Sequence, residues 1–210
     1  MFLRPILARQ LARPSGLVGL FMRPALNKVN ARVNRAALDL LDLAPDHRLL
    51  DIGFGGGLLL REALSRLPQG FVAGVEISGP MLKLARRRFR SELLAARLEV
   101  KQGSASEIPY PDESFDRATA VNTLHFWPDP KAGLREVLRV LRPGGRLGLV
   151  LRPKEYLDRI RFTSHGFTAW DDGPLFALLR DAGFDDVRIE QREDARMGMQ
   201  IALAVRRRAQ

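Results

Sequence analysis

The sequence predicts an α/β fold: an open sheet of about seven strands, mostly parallel, with helices on both faces and an antiparallel strand at the C-terminus. Three observations predict it. Apolar runs of strand length alternate with segments of helical periodicity between residues 48 and 151. The first run, Leu49-Leu50-Asp51-Ile52, ends in an acid and opens onto Gly53-Phe54-Gly55-Gly56-Gly57. The last two runs, 185–192 and 199–206, are separated by a short stretch only, which suits an antiparallel pair.

Each element has its own signal. A leading helix over about 25–43 aligns Leu26, Val29, Val33, Ala36 and Leu40 on one face and Asn27, Asn30 and Asn34 roughly opposite. The first strand, 48–53, is an apolar run of the kind buried on both sides of a parallel sheet. Glycines follow it where backbone must turn or approach a ligand closely, and helical pattern resumes at Leu58 in a helix over 57–66. Phe71-Val72-Ala73-Gly74-Val75-Glu76 is a second strand ending in an acid, followed by a helix over 79–95. Strands over 98–102 and 116–122, a helix over 130–141 and a strand over 145–151 continue the alternation. Segment 152–171 is irregular, broken by Arg152-Pro153 and Gly166, and a helix over 173–182 precedes the final pair.

The glycine turn narrows the ligand. A dinucleotide fingerprint counted from Gly53 or Gly55 requires glycine at 58 or 60, and both are leucine. The terminal Gly-Lys-Ser/Thr of a P-loop is missing as well. What stands there is Asp51-x-Gly53-x-Gly55-x-Gly57, which resembles motif I of the class I methyltransferases. A glycine run alone also fits a turn that holds no ligand, so the remaining motifs matter. Ile77-Ser78-Gly79-Pro80-Met81-Leu82 is similar to that family's turn into its second helix. Residues 100–116, with Gly103-Ser104-Ala105 and Phe115-Asp116, resemble its third-strand signature. Leu141-Arg142-Pro143-Gly144-Gly145 resembles its turn into strand five, and Ala182-Gly183-Phe184 a later turn. The resemblance is sharp over 49–151, looser over 173–206 and weak over 1–45.

The resemblance implies a Rossmann-like methyltransferase domain over 46–210, preceded by a basic helical arm or lid over 1–45. It implies S-adenosyl-L-methionine as cofactor, held by Asp51, Gly53, Phe54, Gly55 and Gly57. Glu76, 25 positions after Asp51, falls where a second-strand carboxylate accepts both ribose hydroxyls. Ile77, Met81, Ser104, Ala105 and Asn122 complete the implied cofactor set. The family usually carries aspartate at the place of Ser104; a hydroxyl still accepts the adenine amino group, without charge.

Composition bounds the rest. The chain has 210 residues, 46% of them apolar, enough for one domain with a full core. With no cysteine there is no disulfide, thiolate metal site or cysteine nucleophile. The three histidines lack metal-ligand spacing, so no metal is expected. No apolar run approaches the roughly 20 residues that span a bilayer. The net charge is +10. Arg4, Arg9, Arg13, Arg23, Lys28, Arg32, Arg35, Arg206, Arg207 and Arg208 account for it; without those ten, 24 basic residues face 24 acidic ones. A solvated basic leader explains this, as does a peripheral membrane surface, because Phe2, Leu3, Ile6 and Leu7 interleave with the arginines. Nucleic acid ranks last: no amino-methylating tetrapeptide follows strand four. Arg9, Arg13 and Pro14 interrupt any secretory h-region, so a cytoplasmic location is expected.

Ligands of such sheets bind at the carboxyl ends of the strands. That edge collects Asn122-Thr123-Leu124-His125-Phe126-Trp127 and faces a segment carrying Tyr156, Asp158, His165 and Trp170. His125 is the candidate general base, with a reference pKa near neutrality. Phe126, Trp127, His165 and Asn30 are candidate acceptor-binding residues. The asparagine stripe on the leading helix fits contact across the pocket mouth, or plain solvent exposure. The expected activity is methyl transfer to a small-molecule or lipid-like acceptor. The alternatives are a module that binds S-adenosylmethionine without transfer, and an enzyme that uses the sulfonium only electrostatically.

Overall fold

The computed structural model describes residues 31–159, 167–193 and 198–208. The described chain opens with helix α1 (31–39). Next come β1 (Arg48–Ile52), α2 (Leu58–Arg66), β2 (Phe71–Glu76), α3 (Gly79–Arg88), α4 (Arg90–Leu94) and β3 (Leu98–Gln102). The second half runs β4 (Phe115–Val121), a 3-10 turn (Leu124–Phe126), α5 (Pro130–Val140), β5 (Leu141–Leu151), α6 (Lys154–Arg159), α7 (Asp172–Ala182), β6 (Asp185–Arg192) and β7 (Met199–Val205).

Seven strands form one sheet in the order β3-β2-β1-β4-β5-β7-β6. The ladders among β1 to β5 are all parallel. β7 slips between β5 and β6 and runs antiparallel to both. The order reverses between β1 and β4, so their carboxyl ends form a crevice. Two apolar layers cover the faces. On one, Leu147, Leu149 and Leu151 of β5 pack with Leu134 and Val137 of α5 and Leu175 and Leu179 of α7. On the other, Leu49 and Val72 pack with Leu60 of α2, Leu82 of α3 and Val33, Leu38 and Leu41 of the leading segment.

The leading helix differs from its expected geometry. It ends at 39 rather than 43, where a turn leads to Asp42 in the left-handed region. Its buried side carries Val33, Ala37 and Leu38, with Leu41 buried in the turn that follows, and Asn34 is buried with them at 7% exposure. The reason is the neighbour: the helix crosses β5 at Gly148, where a Cβ would stand 3.1 Å from the Ala37 carbonyl and 3.3 Å from Leu41. That close crossing turns the helix, so Asn34 does not lie opposite the apolar face. Asn27, Asn30 and the arm over 1–13 lie outside the described residues, as does His165.

Three boundaries also moved. The helix expected over 79–95 is two, because Phe89 leaves the helical register and buries its ring beside Gly57. β5 begins at Leu141 rather than 145: Leu141 pairs with Phe115 and Arg146 with Arg117, leaving Arg142 to Gly145 as a bulge. Within the segment expected to be irregular, residues 154–159 form a short helix.

Candidate cofactor and acceptor site

The glycine turn sits at the switch point. The Gly53 amide donates to the Val75 carbonyl at 2.7 Å, and the Gly57 amide to the Phe54 carbonyl at 2.8 Å. Gly53 has φ +76, and a Cβ there would stand 2.4 Å from Thr123 Cγ2, so only glycine lets β1 pass the end of β4. Gly55 has φ +49 and the opposite surroundings: nothing lies nearer its Cβ position than the Gly53 carbonyl at 4.0 Å. Its exposed backbone is therefore a cradle that a side chain would fill. The Phe54 ring packs on Gly74 of β2 and belongs to the core; what Phe54 offers the cradle is backbone.

Glu76 holds the turn from the side. Its Oε2 accepts the Gly55 amide at 2.9 Å and its Oε1 accepts the Ser78 amide at 2.8 Å. Each oxygen keeps a further lone pair. A buried carboxylate fixed this way presents two acceptors to a vicinal diol. Asp51, 2% exposed, accepts the Thr119 hydroxyl at 3.0 Å. Burial pushes its carboxyl up to about 7; the Thr119 bond works against that shift and the negative Glu76 adds to it.

Asn122 follows β4 directly with φ +54, a conformation asparagine tolerates. Its amide donates to the Val150 carbonyl at 2.8 Å. Its side-chain oxygen is buried with no hydrogen-bond partner among the described residues. At the β2–β3 side, Ile77 stands 46% exposed just past β2, while Met81 is buried in α3. Ser104 is half-buried, and its carbonyl accepts the Glu107 amide at 3.2 Å. Ala105 and Trp127 meet at Gly133 of α5, where a Cβ would be 2.6 Å from the Trp127 ring.

The lining is rich in acceptors: two carboxylates, a buried amide oxygen and a serine hydroxyl, around an open backbone cradle. S-adenosylmethionine is rich in donors and cationic at its sulfonium and amino groups. The residues present fit it.

His125 lies beyond β4 in the 3-10 turn and is 4% exposed. Its Nδ1 meets the Thr168 carbonyl at 2.8 Å, and the Thr168 amide donates back to the His125 carbonyl at 3.3 Å. A carbonyl only accepts, so Nδ1 carries the proton and Nε2 carries the lone pair. Burial lowers the ring's pKa, with the Thr168 bond acting weakly the other way. Phe126 meets Phe167 edge to face at 4.8 Å, which gives the acceptor side an aromatic wall. His47 lies before β1 at the opposite edge, where its Nδ1 accepts the Ala44 amide.

Sequence reasoning did not pick out Thr119, Thr168 or Gln200. Thr119 and Thr168 carry no signal before the fold pairs them with Asp51 and His125. Gln200 does: it is a polar residue inside Met-Gln-Ile-Ala-Leu-Ala-Val, a strand otherwise wholly apolar.

A switch-point glycine cradle, a second-strand carboxylate and the sheet order 3-2-1-4-5-7-6 together define a class I S-adenosylmethionine-dependent methyltransferase domain. Residues 50–149 match the family model described as a methyltransferase domain, and that stretch of chain belongs to the family. The uncharacterized methyltransferase YdaC of Bacillus subtilis is 28% identical over 77% of this chain and 84% of its own length. Demethylmenaquinone methyltransferase of Deinococcus radiodurans is 39% identical over 56% of this chain and 48% of its own. The chain spans about half the length of most curated relatives it matches. Among solved structures, Haemonchus contortus phosphoethanolamine N-methyltransferase 2 in complex with S-adenosyl-L-methionine superposes with a TM-score of 0.70. It is 19% identical, over 84% of this chain and 53% of that one, a likeness of fold.

Proposed function

We propose that this protein transfers a methyl group from S-adenosylmethionine to a small-molecule or lipid-like acceptor. The observation that carries the reading is the setting of His125. A neutral imidazole, with its tautomer held by Thr168, lies one turn beyond the cofactor residues and beside an aromatic wall. Such surroundings favour an uncharged, largely apolar acceptor over a phosphate-rich one. The quinone-type and other small-molecule methyltransferases among the relatives support the same class.

When bound, the cofactor supplies an electrophilic methyl group. The chain's part is to align and to exclude water. Gly53 to Gly57 and Glu76 would hold the nucleoside half, and Asp51 and Asn122 the amino-acid half. Ser104, Ala105 and the exposed Ile77 would hold the adenine. His125 Nε2 takes the proton of a hydroxyl acceptor, and Phe126 and Trp127 wall the acceptor. The reading is tested by incubating the protein with labelled S-adenosylmethionine and a panel of phenols, hydroquinones and amines. Mass spectrometry follows methylated product and S-adenosylhomocysteine together. Cofactor binding with no product from any member would support the binding-module alternative instead.

A further inference from the structure

At the carboxyl edge, two strands beyond β4, lies a polar pair that the cofactor set does not use. Gln200, the second residue of β7, lies opposite Leu151, the last residue of β5. Alternation puts it on the face of Ala202 and Ala204, toward α5 and α7, and it is 1% exposed. Its Nε2 donates to Asp172 Oδ1 at 2.7 Å, and Gln191 Nε2 donates to the same oxygen at 2.7 Å. A carboxylate only accepts, so the orientation of the Gln200 amide is settled by chemistry: nitrogen to Asp172, oxygen away from it. That oxygen is buried and has no hydrogen-bond partner among the described residues. The same holds for the indole N–H of Trp170, whose ring packs against the same core layer.

Buried polar atoms are satisfied as a rule, and an exception asks what satisfies it. Gln200 Oε1 and Trp170 Nε1 are complementary, one an acceptor and one a donor. Trp170 lies two residues from Thr168, which His125 anchors, and two from Asp172, which anchors Gln200. Adjacent strands are about 4.8 Å apart, so β7 lies roughly 10 Å from β4 across the edge. That is the span of a ring system whose other end reaches the transferred methyl.

We propose that Gln200 Oε1 and Trp170 Nε1 bind a hydroxyl on a neutral, ring-bearing methyl acceptor. A hydroxyl answers both atoms: it donates to the amide oxygen and accepts from the indole. Both recognising groups are uncharged, and the Phe126–Phe167 ring pair adjoins His125 and Thr168 in the chain. Arg152, which follows Leu151, is tied through Nη1 to the Gly198 carbonyl at 2.9 Å. This inference rests on the methyltransferase reading and extends it to the class of acceptor.

The test uses the full chain with S-adenosylhomocysteine and two probes of equal size, 1-naphthol and 1-methylnaphthalene. Binding is measured by calorimetry. 1-Naphthol binds about tenfold more tightly, the worth of a good neutral hydrogen bond. Gln200→Met and Trp170→Phe each remove most of that preference, leave 1-methylnaphthalene unchanged and keep S-adenosylhomocysteine affinity. Equal binding of the two probes by the parent, or an undiminished preference in both variants, overturns the assignment. Loss of S-adenosylhomocysteine binding in the parent would overturn the methyltransferase reading itself, and this inference with it.

Discussion

His125 and Thr168 bond each other twice, ring to carbonyl at 2.8 Å and amide to carbonyl at 3.3 Å. The pair ties the turn after β4 to the segment before α7 and leaves Nε2 as the basic nitrogen. Because burial lowers the ring's pKa below its ordinary 6.5, the imidazole is neutral at pH 7. With an alcohol or phenol acceptor, kcat is then flat through neutrality and falls only in acid, below about 6.5. His125→Asn keeps a donor for the Thr168 carbonyl but has no Nε2. It should lower kcat by roughly 10²–10⁴ while cofactor affinity holds. Retention of most of the activity would make His125 a wall residue.

Glu76 anchors the cradle through two backbone amides while facing the ribose site. Glu76→Ala should weaken S-adenosylhomocysteine binding by on the order of 1.5–3 kcal/mol, the worth of hydrogen bonds to a charged group. Calorimetry reads this directly.

Gly53 and Gly55 should separate stability from binding. Both have positive φ, which costs an alanine about 1–2 kcal/mol. Gly53→Ala adds a clash with Thr123 and should unfold at clearly lower urea. Gly55→Ala meets only open space, so its larger effect should be on cofactor affinity. Equal loss of cofactor affinity in the two folded variants would refute the cradle.

Asp51 gives a pH dependence of stability. Its carboxyl titrates near 7 when folded, against an ordinary 3.8. Below 3.8 the group is protonated in both states. Between about 3.8 and 7 the folded chain holds the proton and the unfolded chain has lost it, so stability falls as pH rises. Asp51→Asn removes that slope. Its unfolding free energy, measured by urea titration from pH 4 to 8, should gain on the parent across this window and level off above 7. A constant difference would contradict the burial of the charge.

The basic ends make separate contributions. Arg206 pairs with Glu113 and Arg207 with Asp185, both at 2.7 Å, so those tail charges are committed to the body. A peripheral membrane role would therefore fall to the N-terminal arginines. On that proposal the chain cosediments with anionic vesicles, releases as salt rises, and loses this binding when residues 1–13 are removed. Equal, weak binding to neutral and anionic vesicles would leave a soluble acceptor.

Most of the sheet could be read from the chain because its signals are local. Leu49 to Ile52 and Phe71 to Glu76 are apolar runs closed by acids, and glycine spacing marks the turn between β1 and α2. A turn that needs positive φ, and a strand buried on both faces, select their residues whatever the rest of the chain does. The cofactor class was legible for the same reason. What tertiary structure decided was pairing. Asp51 with Thr119, His125 with Thr168 and Gln200 with Asp172 join residues 68, 43 and 28 positions apart. The face of the leading helix was settled likewise, by a glycine in β5 that lets backbone come close, which drew Asn34 inward. Periodicity shows that a helix has an apolar side; the strand it crosses determines which residues fill it.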